Sequence, residues 1–251
     1  MRKILIVVSL LPSLVLGQTK ARVIPENISA LINFENTLKP NYQKEAPIGI
    51  NWFVYLKGNR RVLITAPHAT AQVREGKIKQ ADGGTGSLAY ELNKISNVPI
   101  LYTTYLSPTD PNYYDNNAFK DSLSVLLTQL HPLLVIDVHA SSPYRPYDID
   151  LGTLNGKSLT ISMLEEIVGT LKDEGINNLS TNYFAADKNQ TDTKFVYNHG
   201  VPCIQLEINA NFLSADASES NNVYSQKTAQ LLDALVKLID KIDPPKIPAK
   251  D

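Results

Sequence analysis

Apolar positions along this chain follow two spacings. Over residues 118–130, Phe119, Leu123, Leu126, Leu127 and Leu130 recur at three and four, which predicts an amphipathic helix. The same spacing predicts helices over 87–95, 159–171 and 222–242. Between them stand apolar runs of strand length at 51–55, 61–65, 100–105, 133–138 and 201–208. The run 133–138 is nearly unbroken, the pattern of a strand covered on both faces. Lys57-Gly58-Asn59 separates the first two strands as a hairpin turn would. Residues 19–45 read as an irregular or weakly helical lead-in. Residues 107–117 form a loop rich in Pro, Asp, Asn and Tyr. Residues 243–251 hold three prolines and read as a loose tail.

Strands alternating with helices predict one α/β layer structure, and neither a repeat nor a linker divides it. The domain is expected over 18–242. Ahead of it, Arg2 and Lys3, the apolar run 4–16, and the small residues Val15 and Gly17 have the order of a secretory signal peptide, 1–17, with Gln18 as the mature start. The run is short of the roughly 20 residues a spanning helix needs, so a retained anchor is the weaker alternative. No Cys follows it to carry a lipid, and no second long apolar run appears. The expectation is a secreted or periplasmic protein with no membrane association after signal removal.

Charge and cysteine usage narrow the chemistry. The formal net charge is −1, and removal of Arg2 and Lys3 makes it −3. That balance argues against a nucleic-acid partner. Cys203 is the only cysteine, so an intrachain disulfide and a Cys-based metal site are both excluded. Any metal must be held by His and carboxylate.

Five segments carry candidate chemistry. His68 follows the strand ending at Thr65 and can project into a crevice. Asp137-Val138-His139 ends the run 133–138, and residues two apart in a strand share a face. A carboxylate so placed can fix the His tautomer by accepting its distal N–H. Two His at two strand ends favour a shared metal over two structural His. Asp82 precedes Gly83-Gly84-Thr85-Gly86-Ser87, a turn opening a helix that Thr85 or Ser87 could cap. Asp82 reads either as the carboxylate ligand or as a solvated turn residue. The glycines lack a Walker Lys-Ser/Thr or a full dinucleotide fingerprint. Glu207 interrupts a buried strand and shares a face with Gln205 and Asn209, either an active-site wall or the wet face of an amphipathic strand. Arg145, in Tyr144-Arg145-Pro146-Tyr147-Asp148-Ile149-Asp150, could bind a substrate carboxylate or polarise a carbonyl, and Asp148 and Asp150 are reserve ligands. The alternative there is a surface hairpin.

Strand-Pro-His, a carboxylate before Gly-Thr and a helix, strand-Asp-x-His, and a late strand bearing Glu together resemble the N-formylglutamate amidohydrolase family. More widely they resemble the zinc carboxypeptidase-like fold with its poly-γ-glutamate hydrolases. The motifs span roughly 61–209. The resemblance implies a central mixed, mostly parallel sheet flanked by helices, and one zinc ion at the strand ends. It implies His68 and His139 as ligands and Glu207 as general base. The carboxypeptidase His-x-x-Glu is broken by Ala71, whereas Asp82-Gly-Gly-Thr-Gly resembles the carboxylate-Gly-Thr of the poly-γ-glutamate hydrolases. Asp82 is therefore the expected third ligand, with Glu75 in reserve. Where family members carry Asn-Arg, this chain has Asn112-Tyr113, which leaves Arg145 or Arg74 to take that Arg's place.

The expected function is hydrolysis of an amide bond in a small-molecule or peptide substrate by metal-activated water, with the loop 105–114 as a cover. The first alternative is a non-catalytic exported protein binding a peptide or glycan in the same crevice, with Tyr side chains as stacking platforms. The second is a serine or thiol hydrolase. No Gly-x-Ser-x-Gly elbow occurs, and Cys203, near His199, reads as a buried inert thiol.

Overall fold

In the computed structural model, residues 22–214 and 223–245 are described. The expected signal segment 1–17, and the tail beyond residue 245, lie outside the described residues. The elements in order are α1 (Pro25–Leu38), β1 (Phe53–Leu56), β2 (Val62–Ala66), β3 (Gln72–Arg74), β4 (Lys77–Lys79), α2 (Thr85–Ser96), β5 (Ile100–Thr103) and α3 (Ala118–Leu130). There follow β6 (Leu134–Ser141), β7 (Ile149–Gly152), α4 (Ile161–Asp173), β8 (Leu179–Thr181), α5 (Asp192–Asn198), β9 (Cys203–Asn209) and α6 (Val223–Ile242).

Seven strands form one mixed sheet in the order β1-β5-β2-β6-β9-β7-β8. Its centre, β5-β2-β6-β9, is parallel. β1 runs antiparallel to β5 and β7 antiparallel to β9, while β8 is parallel to β7. This is the expected α/β architecture. The near-solid apolar runs are explained by helices on both faces. Ile64, Ile136 and Ile204 are register partners and pack with Leu88 and Leu92 of α2, Ile167 of α4 and Leu235 of α6. Leu63, Val135 and Cys203, one residue earlier, point the other way, onto Phe119, Leu123 and Leu127 of α3 and Val196 of α5.

That second face changes character along the strands. After Leu63, Val135 and Cys203, the next residues on it are Thr65, Asp137 and Gln205, again partners, and then His139 beside Glu207. The polar row thus lies towards the carboxyl ends of β2, β6 and β9, where open α/β sheets gather ligands.

Two expectations are corrected. β1 and β2 are not a hairpin, because β5 inserts between them. Gly58 serves close approach rather than a hairpin turn: a Cβ there would stand 2.3 Å from Pro99 N. The lead-in contains a full helix, α1, with Ile28, Leu31, Ile32, Glu35 and Leu38 buried along one stripe. Glu35 inside that stripe, with Asn33 and Asn36 close by, obscures the helical period in the sequence. The short β3–β4 hairpin, β7, β8 and α5 are additional elements. Among the described residues no helix is long and apolar enough to cross a membrane.

Candidate metal centre

Two loops and the end of a strand bring His68, Asp82 and His139 together. His68 sits two residues past β2, Asp82 just ahead of α2, and His139 near the end of β6. The backbone N–H of Asp82 donates to His68 O at 2.7 Å, tying the first two loops to each other. The N–H of Ala140 donates to Asp82 Oδ2 at 3.2 Å, tying Asp82 to β6. Ligand atoms of the three residues lie within 4.8 Å of one another.

Both rings present the same nitrogen. His139 Nδ1 lies 3.1 Å and His68 Nδ1 3.5 Å from Asp82 Oδ2. Each ring is backed at Nε2 by a fully buried Asp. His68 Nε2–H donates to Asp110 Oδ1 at 2.8 Å, and His139 Nε2 stands 3.3 Å from Asp137 Oδ2. An ionised carboxylate only accepts, so Asp110 and Asp137 hold a ring proton on each Nε2, and Nδ1, facing Asp82, is the nitrogen whose proton a cation would displace. Asp137 is itself fixed by the hydroxyls of Thr65 (2.8 Å) and Thr193 (3.2 Å).

The electrostatics are those of a cation site. Burial disfavours a charged His68, yet its hydrogen bonds to Asp110 and Asp82 and their charges carry it up to about 9. His139 is raised well above the ordinary value, against the same burial, by Asp137 and Asp82. Burial likewise opposes ionisation of Asp82, but His139 and His68 hold its pKa well below the carboxylate range. Against the cost of burial, His68 and Arg74 hold Asp110 at about 2. Glu207 goes the other way: burial pushes it to about 7, with His139 opposing and Asp82 adding to the rise. Gln205 Nε2 donates to Glu207 Oε1 at 2.9 Å. Two imidazole nitrogens and one carboxylate, surrounded by further acids, fit a divalent ion. They are the donor types of a catalytic zinc site with an open position. Cys203 is buried in the core at the opposite end of β9 and offers no thiolate.

The remaining expected residues fall into two groups. Asn112 and Arg74, with His68, Asp82, His139, Gln205 and Glu207, line a cavity of about 610 Å³. Asn112 Nδ2 lies 3.4 Å from His139 Nε2, and Asn112 Oδ1 accepts from Asp192 N–H at 2.6 Å. Arg74 is paired inside the protein: Nε and Nη2 each stand 2.6 Å from Asp110 Oδ2. The others face elsewhere. Glu75 is exposed at the β3–β4 turn (φ 52°), where its Oε1 accepts from Tyr113 O–H at 2.8 Å. Arg145 does not line the cavity, and its guanidinium lies over Tyr183 and Phe184 instead. Asn209, at the strand end, donates to Tyr147 O at 3.1 Å and accepts from Asn211 N–H, so it braces a turn. Asp150 is spent on Ser180, Tyr183 N–H and Phe184 N–H, fixing the cavity's aromatic wall. Asp148 is partly exposed and outside the cluster. Thr85 and Ser87 do not cap α2. Their hydroxyls donate back to Asp82 O and Gly84 O, and Gly84 takes the N-cap position.

Asp110 and Asp192 were not legible as site residues. Asp110 lies 42 residues from its His partner in an irregular loop, and no spacing rule links the two. Asp192 opens the short helix α5 fully buried, where burial and the nearby Asp137 push it to about 8.

Comparison with solved structures gives the fold. N-formylglutamate amidohydrolase from Ralstonia eutropha JMP134 matches with a TM-score of 0.53, over 75% of this chain and 96% of its own, at 14% identity. The gene product Atu2144 from Agrobacterium tumefaciens matches with a TM-score of 0.55, over 77% of this chain and 95% of its own, at 12% identity. This chain has the N-formylglutamate amidohydrolase fold. At such identities the likeness establishes fold and no more. A bacteriophage poly-gamma-glutamate hydrolase also matches, at 16% identity over 78% of this chain and 90% of its own, with a TM-score of 0.47. No family model and no curated protein matches the chain. Within this fold the polar row on β2, β6 and β9 stands at the strand ends, and the residues quoted for the resemblance, His68, Asp82, His139 and Glu207, share one cavity.

Proposed function

We propose that this protein is an exported, zinc-dependent amidohydrolase of the N-formylglutamate amidohydrolase type. The observation that carries the proposal is the convergence of His68 Nδ1, His139 Nδ1 and Asp82 Oδ2 beside a Glu207 carboxyl lifted to about 7. Export rests on the pattern of residues 1–17.

His68, His139 and Asp82 hold one zinc ion in this reading. A zinc ion held by these residues would supply a water acidified to a pKa of about 7 and a Lewis acid for the amide carbonyl. Asp110 and Asp137 keep both rings in the tautomer that presents Nδ1. Glu207 removes a proton from the attacking water and delivers it to the amine nitrogen as the C–N bond breaks. A carboxyl near neutrality is matched to both transfers, and such help is worth roughly 10²–10⁴-fold. Gln205 holds Glu207 by one oxygen and leaves the other for the proton. The substrate is an amide: an N-acyl amino acid, a γ-glutamyl link or a peptide. Arg145 acts on it only through the aromatic wall of Tyr183 and Phe184.

The test is metal content of the purified protein by mass spectrometry, wild type beside His139→Ala, followed by an amide-hydrolysis screen. The expected result is one zinc per wild-type chain, lost in the variant. A wild type that stays metal-free when zinc is offered at neutral pH overturns the proposal and favours an exported peptide- or glycan-binding protein.

A further inference from the structure

A second cavity shares lining residues with the one at the candidate metal centre. Asp82 and Ala140, which line the cavity holding His68, His139 and Glu207, also line one of about 850 Å³ that runs towards α1. Leu31, Ile32 and Asn36 of α1 form one side of it, and Ser142 and Pro143, just past β6, form another. Each cavity alone falls within the range of about 300–1,000 Å³ that holds a whole drug-sized ligand. A substrate with a one-carbon acyl group, or a single terminal residue, on one side of the scissile bond would leave one of them largely unused.

The charges point the same way. Arg74 is the one guanidinium among the described residues lining the first cavity, and both of its inner nitrogens are bound to Asp110. Part of its charge and its Nε side are therefore met inside the protein, which weakens it as a clamp for a chain-terminal carboxylate.

We propose that the two cavities are one cleft crossing the metal centre, and that the substrate is a peptide chain cleaved at an internal amide, with residues on both sides of Asp82. Water adds to the internal carbonyl and the C–N bond breaks. The two products are a peptide ending in a new carboxylate and a peptide beginning with a new amine. The cleavage rests on the hydrolase reading above; two-sided occupancy of the cleft does not.

The experiment offers the zinc-loaded full chain a hexapeptide pool acetylated and amidated at its ends, beside the same pool with free ends, and identifies products by mass spectrometry. Internal cleavage of the blocked pool is the expected result. Release of single terminal residues from the free pool, with the blocked pool untouched, overturns the proposal. Asn36→Trp fills the arm beside α1. It should raise KM for blocked hexapeptides about tenfold more than for a small N-acyl amino acid. Equal effects on both overturn the cleft. If nothing is hydrolysed the hydrolase reading falls, and equilibrium dialysis against the blocked pool decides the cleft. Retention by the wild type, weakened about tenfold in Asn36→Trp, upholds it. Retention that is absent, or indifferent to that substitution, overturns it.

Discussion

His139 and Glu207 are register partners on adjacent parallel strands, so their side chains leave the sheet side by side on one face. The pairing puts a basic carboxylate next to a metal-facing ring without making it a ligand, and burial raises that carboxylate to about 7. Glu207→Gln should therefore keep bound zinc while losing turnover by about 10²–10⁴-fold. Metal content and kcat measured on the same preparation check this. A variant with near wild-type kcat would remove Glu207 as the base.

Asp110 does not itself line the cavity, yet it should matter for the metal. Its Oδ1 accepts from His68 and its Oδ2 from Arg74, so Asp110→Ala frees the ring to rotate and leaves Arg74 unpaired. Loss of such an outer partner costs about 10–100-fold in metal affinity. Competition with a chelator of known affinity gives the number, and an unchanged zinc affinity would show that the ring is held by packing alone.

What the sequence made legible follows the physics of the two strand faces. Asp137-Val138-His139 could be read because a strand has period two, and the central strands are apolar enough for a charge to stand out. Glu207 stood out for the same reason. Asp82 was readable only because a glycine turn precedes α2. Asn112 and Arg74 could be named only through the family's Asn-Arg pattern, and Asp110 not at all, because all three reach the site from irregular segments and a three-residue strand, where no period constrains the side chains. Arg145, Asn209 and Asp150 were polar in the right neighbourhood, but backbone groups and aromatic rings satisfy them locally, which spacing does not reveal. The misplaced hairpin has a similar cause: β1 meets β5, whose run lies some 45 residues on, rather than the strand next in sequence.

Metal-free protein and zinc-bound protein should respond oppositely to pH. His68 is raised from its ordinary 6.5 to about 9, so its protonation stabilises the metal-free fold. That contribution is complete below about 6.5 and is lost as pH rises through 9. Zinc needs the unprotonated ring and displaces the proton, so its affinity rises across the same window. The melting temperature of metal-free protein should fall between pH 6.5 and 9, while the increment produced by zinc grows. Scanning calorimetry with and without zinc reads both, and a metal-free melting temperature that climbs through this window would contradict the charge arrangement around His68.

Gly84 fixes where Asp82 stands, and its replacement should be felt in both stability and metal binding. Its φ is +87°, a region L side chains rarely adopt, and it is the N-cap of α2, two residues after Asp82. A Cβ there would meet Leu213 O at 2.6 Å and Leu213 Cβ at 2.8 Å. Backbone strain and overpacking each cost about 1–3 kcal/mol. Relief by moving the turn shifts Asp82, whose carboxylate is held between His68, His139 and the N–H of Ala140. Gly84→Ala should lower the denaturation midpoint by an amount in that range and weaken zinc binding with it. Gly83→Ala is the control. Its Cβ would lie 3.3 Å from the Tyr42 hydroxyl, a side-chain atom able to give way, and no positive φ is required. Equal losses in the two variants would show that the turn tolerates a side chain at Gly84 and that Asp82 is positioned by its hydrogen bonds alone.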